Sequence, residues 1–384
     1  MKKIIVTAYK KMLFSALAEN EKIIEMDADP EPGSLKAGDI VLATVRNTAD
    51  NIKAAFCEIG SGMIGFLPFT ECNVPLKGHM LIPVQIKRDA SGLKERMLSA
   101  RFSVPGRNLV LLYEPAGEHF CVSKKVSDKA RTAELKELLA GKCTDTPFGF
   151  IIRTNAFSAD IETILSEADA LLEQGASVLN AAEHRTPGSI LYRAPDLCRE
   201  WLLGAAAEEE IEVISEKADY LDVLKKDPLL SGIPFSARHY TDPFPLEKLF
   251  RLDHYTELAL SRKVWLRSGG FLIIDRTEAM TVIDVNTGSA VSGKDKEETF
   301  LKINLEAAEE IAYQLRLRNL SGIIIVDLIN MKSRDHMKAV EACFHKALSG
   351  DPHKAVLMDI TRLGLAEITR QKKRKPFYAA VLIS

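Results

Sequence analysis

The clearest hydrophobic pattern in the sequence lies in its last third, where short apolar runs flank a long stretch of helical periodicity. The first runs are Phe271–Ile274 and Thr281–Val285, and the last is Ile323–Val326. Between them, apolar residues recur at the spacing of one helix face from Leu301 to Leu315. A strand, a long helix and a second strand therefore follow one another, an order typical of a crossover between parallel strands.

An aspartate lies near the end of each of these two strands. Asp284 is followed by a turn that begins at Asn286, and Asp327 closes the later apolar run. A right-handed crossover brings both strand ends to one edge of the sheet, so we expect the two carboxylates to meet. Paired strand-end carboxylates can share one divalent cation while a phosphoryl oxygen completes its shell. A single aspartate in such a place is usually only a turn residue, so the pairing is what favours a metal site.

The remaining chain predicts a β-rich beginning and a helix-rich middle. Residues 2–7 and 12–26 have the pattern of two strands of a hairpin, and residues 27–33 form a linker rich in turn residues. Four short strands with glycine turns follow between Asp39 and Lys87, which is typical of a small closed barrel. Later, a predicted strand at 148–154 ends on an Arg-Thr pair, which can bind a phosphate but more often is a solvated strand end.

Composition narrows the class of protein. The chain has 384 residues, 46% apolar and 27% charged, as expected for a globular protein of two to four domains. Its formal net charge of -2 requires that any nucleic-acid surface be a local basic patch, and the densest basic run is Arg370–Lys375. Six scattered cysteines without a Cys-x-x-Cys pair favour a reducing compartment. No signal peptide or membrane span is predicted, so we expect a cytoplasmic protein with no membrane partner.

The predicted barrel has a recognisable motif. An Ala54-Ala55-Phe56 strand is followed by Gly62-x-x-Gly65-Phe66-Leu67-Pro68, and this order resembles an OB-fold RNA-binding domain. The resemblance implies that Phe56 and Phe66 stack on bases and that Lys94 grips the RNA backbone. The residues alone favour the alternative that both phenylalanines belong to the barrel core.

Several ordered motifs together resemble the ribonuclease E/G family over nearly the whole chain. The match is strongest at Thr277–Gly288 and continues through Asn304–Ala308, Gln314–Arg318, Gly322–Asp327 and Gly364–Gln371. Motifs in this order and at these separations are far more specific than any one of them.

The resemblance implies a magnesium-dependent endoribonuclease that cuts single-stranded RNA in RNA processing or decay, including rRNA processing and mRNA decay. Asp284 and Asp327 would be catalytic and would hold Mg²⁺, which activates a water for in-line attack on the phosphodiester. Asn286 would assist in the site, and Arg362 would lie near the scissile phosphate.

The fold implied by the family is multidomain α/β with a β-barrel. An RNase H-like unit (1–34 and 200–260) would be split by an OB-fold RNA-binding barrel (35–104) and a 5′-sensor domain (105–199). A DNase I-like α/β catalytic unit (261–384) would follow. In the sensor domain, Arg153 and Thr154 match the pair that binds a 5′-phosphate.

This sequence departs from the family pattern in three ways. Asn330 stands where the family usually has a second acid after Asp327, which removes a charge near the metal. Residues 121–125 lack the glycine that usually precedes a basic pair in the sensor. The Cys-Pro-x-Cys zinc-link and the small domain beyond it are missing from the sequence, so no zinc-linked dimer is expected.

Two other functions agree with parts of this pattern. One is an RNA-binding protein of the same family with weak or no cleavage, which the acidic net charge and Asn330 leave open. The other is a metal phosphodiesterase that acts on DNA, which the RNA-type barrel disfavours.

Overall fold

The chain is a mixed α/β protein with several sheets, one of which closes into a five-stranded, OB-like barrel. The structure is a computed structural model. It describes residues 2–9, 12–29, 34–89, 95–114, 120–122, 128–144, 146–206, 209–289, 296–372 and 374–382.

The secondary-structure elements are numbered in chain order. The strands are β1 (Lys2–Tyr9), β2 (Met12–Glu19), β3 (Lys22–Asp29), β4 (Ile40–Ala49), β5 (Ala54–Glu58), β6 (Ile64–Pro68), β7 (Leu81–Arg88), β8 (Arg96–Ser99), β9 (Ser103–Pro105), β10 (Leu109–Tyr113), β11 (Phe120–Val122), β12 (Phe148–Ile152), β13 (Ile190–Tyr192), β14 (Ile211–Ser215), β15 (Phe235–His239), β16 (Lys263–Trp265), β17 (Phe271–Arg276), β18 (Met280–Asn286), β19 (Gly322–Asp327), β20 (Val356–Ile360) and β21 (Leu365–Arg370). The helices are α1 (Lys129–Cys143), α2 (Ile161–His184), α3 (Leu197–Gly204), α4 (Ala218–Lys225), α5 (Leu246–Leu249), α6 (Leu252–Leu260), α7 (Lys296–Leu317), α8 (Arg334–Leu348) and α9 (Phe377–Leu382).

The chain divides into two compact units. The first comprises Met1–Pro30, Ile214–Glu216 and Tyr240–Ser384, and the second comprises Glu31–Val213 and Lys217–His239. The aspartate-bearing strands therefore lie in the first unit and the barrel lies in the second. None of the helices in the described ranges is both long and apolar enough to span a membrane.

The barrel of the second unit is formed by β4, β5, β6, β8 and β7 in that order, and β7 pairs with β4 to close it. Its interior is filled by small and branched residues such as Val41, Ala43, Ala55 and Leu67, all buried. The predicted strands between Asp39 and Lys87 are confirmed, and β8 adds the fifth. A separate four-stranded sheet in this unit has the order β11-β12-β10-β9.

The first strands of the chain form an antiparallel meander of β1, β2 and β3. The prediction of one long strand over 12–26 is wrong, because the chain reverses at Asn20 and Glu21. Both residues have positive φ, of 49° and 63°, and two such residues in succession form the tight turn that matches the twist of a β-hairpin.

A six-stranded sheet organises the rest of the first unit, in the order β16-β17-β18-β19-β21-β20. β18 and β19 pair in parallel, as the strand–helix–strand pattern predicted, and the other pairs are antiparallel. Helices α7 and α8 pack on one face and bury apolar residues of both the sheet and the helices, including Ile283, Val326, Ile311 and Phe344.

A buried carboxyl in β3 gives the stability of this unit a predicted pH dependence. Burial raises the pKa of Asp27 to about 7 from its ordinary value of 3.8, with Arg374 acting in the opposite direction and Asp29 and Glu25 adding to the rise. Between these values the folded chain keeps a proton that the unfolded chain has released, so the free energy of unfolding falls as pH rises from about 4 to about 7. Asp27→Asn should flatten this slope and raise stability at pH 8 relative to the wild type, as measured by urea unfolding.

The matched control is Asp335→Asn, which changes an aspartate whose side chain is 92% exposed. It should keep the wild-type slope. An Asp27→Asn protein that shows the wild-type slope across this range would contradict the prediction.

Candidate active site

Helices α7 and α8 cover one face of the six-stranded sheet, and the described residues of β18 and β19 on its other face are exposed or half-buried. Alternation along β18 buries Ile283 and Val285 against the helices and turns Asp284 and Asn286 the other way. We call the outer face, which carries Ile273, Asp284 and Asp327, the open face of the sheet. The cross-strand partners Ile273, Asp284, Asp327 and Leu365 form one row across it.

Asp284 and Asp327 are brought together as the sequence predicted. They are direct partners in the parallel β18–β19 pair, so their backbones are one strand spacing apart, about 4.8 Å. Both side chains are exposed. The Asn286 side-chain amide donates a hydrogen bond of 2.8 Å to Asp284 Oδ2, which orients that carboxylate. We call this place, where β18 and β19 end, the aspartate edge.

The segment that follows Asp327 is fixed by helix α7. Asn304 is fully buried, donates from Nδ2 to the carbonyl of Ile329 (2.8 Å) and accepts from the Ile329 amide (3.1 Å). In the first turn of α7, Glu297 accepts from the amides of Ser333 (2.9 Å) and Lys332 (2.7 Å), and these bonds hold the pKa of Glu297 below its ordinary value. Helical periodicity places Asn304 on an inner face, but it gives no sign of a partner 25 residues away.

Arg362 lies in the turn between β20 and β21, at the same edge of the sheet. The amide of Gly364 donates to the Thr361 carbonyl (3.0 Å), and the amide of Leu328 donates to the Gly364 carbonyl (3.2 Å). The turn is therefore bonded to the residue next to Asp327. Arg362 itself is exposed.

Asn330 packs on this turn. Gly364 has a φ of 84°, and a Cβ there would lie 2.9 Å from Asn330 Oδ1. Glycine is thus needed for both the backbone angle and the close contact.

The glycines around β17 and β18 allow two turns to touch. A Cβ on Gly270 would lie 2.8 Å from the Asn286 carbonyl oxygen, and a Cβ on Gly288 would lie 2.3 Å from that of Gly269. The turn that precedes β17 is therefore packed directly against the segment that begins at Asn286.

The donors at the aspartate edge fit a magnesium ion. They are two exposed carboxylates in register, and the side-chain amide of Asn286 donates to the one on Asp284. Within the described ranges, no group of three or more His, Cys, Asp or Glu side chains could hold a metal ion by itself. Mg²⁺ is commonly bound by one or two carboxylates, several waters and a substrate phosphate, so a pair is sufficient.

The barrel phenylalanines lie on its outer surface. Phe56 and Phe66 are cross-strand partners, half-buried, with ring centroids 5.9 Å apart in an edge-to-face arrangement. Their sequence neighbours Ala55, Cys57 and Leu67 fill the interior instead. Lys94 lies outside the described residues. The role of these three residues in binding RNA stays a prediction.

The Arg153–Thr154 pair lies at the end of β12, as predicted. Arg153 donates from Nη1 to the Gly106 carbonyl, and Thr154 is exposed. Burial lowers the pKa of Arg153, and nearby Glu167 acts in the opposite direction. Glu167 accepts from the amides of Asn108 (2.9 Å) and Leu109 (3.2 Å). This arrangement anchors Arg153 next to an ordered loop, and its binding of a 5′-phosphate stays a prediction.

The basic run at 370–375 is not uniformly solvated. Arg370 is 2% exposed and donates from Nη1 to the Asn319 side chain and the Leu320 carbonyl, both at 3.0 Å. Its Nε pairs with Asp351 at 2.9 Å. The first residue of the run is therefore part of the interior, while Gln371 and Lys372 are exposed.

One family model and three relatives match this chain. The sequence model of the ribonuclease E/G family matches residues 103–373. Ribonuclease G of Escherichia coli (strain K12) is 33% identical over 361 residues, which span 88% of this chain and 73% of the relative. Ribonuclease E of Nostoc sp. is 31% identical over 367 residues, 90% of this chain and 52% of the relative. Ribonuclease E of Escherichia coli (strain K12) is 30% identical over 396 residues, 97% of this chain and 37% of the relative. The family match includes the whole aspartate edge.

Proposed function

This chain belongs to the ribonuclease E/G family, and we propose that it is a magnesium-dependent endoribonuclease that cuts single-stranded RNA in RNA processing or decay. The observation that carries the proposal is the in-register pair of Asp284 and Asp327 on an open sheet face, with Asn286 bonded to the first. An exposed pair is accessible to an extended polymer strand, which a closed pocket would exclude.

Each side chain at the edge has a distinct role in this proposal. Asp284 and Asp327 would hold the magnesium ion through their carboxylates. Asn286 keeps the Asp284 carboxylate in place through its hydrogen bond, which reduces the freedom lost when the ligands assemble. Arg362, exposed on the neighbouring turn, would donate to a phosphate oxygen as negative charge develops there. The bound ion would supply a Lewis acid and lower the pKa of a water that attacks the phosphodiester.

The domain division expected for the family is part of the proposal. We assign 1–34 and 200–260 to an RNase H-like unit, 35–104 to the OB-fold barrel, 105–199 to a 5′-sensor-like domain and 261–384 to a DNase I-like catalytic domain. In support, the barrel strands β4 to β8 all fall between Ile40 and Ser99, and the six-stranded sheet falls between Lys263 and Arg370.

Two surfaces of the second unit would help to hold the RNA. Phe56 and Phe66, half-buried on the outer surface of the barrel, would stack on bases, and Lys94 would contact the backbone. Arg153 and Thr154 would receive a 5′-phosphate. A cytoplasmic location agrees with six cysteines, all described, none of which forms a disulfide.

The decisive assay compares four reactions on one labelled single-stranded RNA. The RNA carries either a 5′-monophosphate or a 5′-hydroxyl, and each form is incubated with magnesium or with EDTA. We expect internal cuts only with magnesium, and faster cutting of the 5′-monophosphate form. Absence of cut products with magnesium would overturn the proposal, and equal cutting of a matched DNA strand would make the protein a general phosphodiesterase.

The second candidate is an RNA-binding protein of this family with weak cleavage. The observation that favours it is Asn330, an amide where the family usually has an acid, since no group of three acids that could hold a metal is found among the described residues. This function predicts RNA affinity that survives EDTA, together with little or no cut product in magnesium.

A further inference from the structure

The hairpin of β16 and β17 presents two aromatic rings and a lysine next to the aspartate edge. Trp265 is 63% exposed, and its ring centroid is 5.3 Å from that of Phe271 in an edge-to-face arrangement. Lys263 Nζ is 3.8 Å from the Trp265 ring centroid and 3.7 Å from that of Phe271. Most of the indole surface is therefore left to solvent, while its position is fixed from one side.

Strand register places this cluster on the open face. Trp265 pairs with Phe271, which pairs with Asn286. One row further, Lys263 lies opposite Ile273, the partner of Asp284. Two strand spacings, about 10 Å, separate the backbone of Trp265 from that of Asn286, the residue that orients the Asp284 carboxylate.

The hairpin is held rigidly in this position. Both oxygens of Glu306 on α7 accept from the turn, from the amides of Arg267 and Ser268. The contact of Gly270 with the Asn286 carbonyl joins the same turn to the strand that carries Asp284. A surface ring that is already fixed loses little freedom when it binds a ligand.

The surroundings of the ring suit a nucleotide. Towards α7, Trp265 also lines a cavity of about 380 Å³ whose walls include Lys22, Arg267 and Lys302 together with three acids, Glu306, Glu309 and Glu310. Of the three acids in that cavity, Glu306 is bonded to the turn amides, Glu310 accepts from Gln314 at 2.7 Å, and Glu309 is exposed. The lysine at the ring itself is Lys263, and an exposed indole next to a lysine is a combination that binds single-stranded nucleic acid, through stacking and through a phosphate contact.

Resting on the proposed function, we propose that Trp265, backed by Phe271 and Lys263, is a stacking site for one base of the RNA strand bound across the aspartate edge. The base stacks on the free surface of the indole, and the Lys263 ammonium faces the phosphate of the same nucleotide. Because every base has a π-face, the site fixes the position of the strand with little sequence preference.

A fluorescence experiment tests the stacking without any need for cleavage. The chain has two tryptophans, Trp201 and Trp265, so Trp201→Phe leaves Trp265 as the only indole. In EDTA, titration of this variant with a single-stranded RNA oligonucleotide should quench its emission as the RNA binds. Binding that is detected by anisotropy of the labelled RNA but leaves the emission unchanged would overturn the proposal.

Affinity measurements locate the base. Trp265→Ala should weaken RNA binding in EDTA by about 5- to 100-fold, and Trp265→Phe should retain most of the affinity. The control Phe244→Ala removes another exposed aromatic ring of the same unit, 54% exposed and outside this sheet, and should bind as the wild type does. In a series of RNAs that each lack one base, Trp265→Ala should weaken the binding of every RNA except one. That RNA lacks the base that stacks on the indole, so the variant has no contact left to remove.

The possible results are distinct. Wild-type affinity of Trp265→Ala for every RNA would disprove the stacking site. A change of oligomeric state in light scattering, without a change in RNA affinity, would instead make Trp265 a contact between proteins. Quenching by RNA in a protein that makes no cuts with magnesium would support the stacking site and refute the proposed endoribonuclease.

Discussion

Asp284→Asn is expected to reduce RNA cleavage in magnesium by about a thousandfold, because it removes one of the two carboxylates that lie in register at the aspartate edge. A bound metal contributes several kcal/mol of charge stabilisation in the transition state, and about 4 kcal/mol corresponds to a thousandfold in rate. An amide has nearly the shape of the carboxylate but lacks its charge. The hydrogen bond from Asn286 to this side chain also loses its charged acceptor.

The measurement is a single-turnover cleavage rate with saturating protein, which separates chemistry from binding. RNA affinity in EDTA should stay at the wild-type level, since in the proposed mechanism the aspartates act through the metal. The matched control is Asp275→Asn, on the same sheet face, where the acid pairs with Arg262 on the surface and lies opposite Val282. That variant should cut normally. Full cleavage by Asp284→Asn would exclude this aspartate as a metal ligand.

Asp327→Asn should produce a loss of similar size, and the two changes together should cost little more than either alone. Two ligands of one ion act as a unit, so their effects are not additive. Two independent sites would instead multiply the losses.

The aspartate edge could be predicted because it depends on local signals. Apolar runs that end on Asp284 and Asp327, with a helix of suitable length between them, allow only a few topologies, and the parallel pairing follows. The barrel was predictable for the same reason, since short alternating strands with glycine turns have few other solutions.

Other features depend on contacts that no local pattern contains. In β21 the inward-facing residues are Ala366, Ile368 and Arg370. Because one of them is charged, the sequence of this strand does not show a regular hydrophobic alternation. Asn304 is visible as a polar residue on a buried helix face, but its partner Ile329 lies in a loop 25 positions later. The cluster of Trp265 with Phe271 depends on strand register, which a hairpin pattern suggests only once its turn is known.

Arg370→Met is expected to lower the free energy of unfolding of the chain by about 3–5 kcal/mol, the usual effect of breaking one side of a buried ion pair. The Arg370 guanidinium is buried together with Asp351, whose side chain is 3% exposed. Its removal leaves a buried carboxylate without its cation and leaves the carbonyl of Leu320 and the side chain of Asn319 without a donor. Methionine fills much of the volume of the arginine side chain, so the loss of stability comes more from the lost charge and hydrogen bonds than from a cavity.

Urea unfolding monitored by circular dichroism measures this loss, with Lys372→Met as the control for removing a cation from the exposed part of the same basic run. The control should change stability by less than about 0.5 kcal/mol. The double variant Arg370→Met with Asp351→Leu should recover much of the lost stability. In a buried ion pair the cost of desolvating the charges offsets most of their attraction, and an apolar pair has neither the cost nor the attraction. If Arg370→Met alone were as stable as the wild type, the whole basic run would be a solvated segment, and Arg370 would be free to contact RNA phosphates.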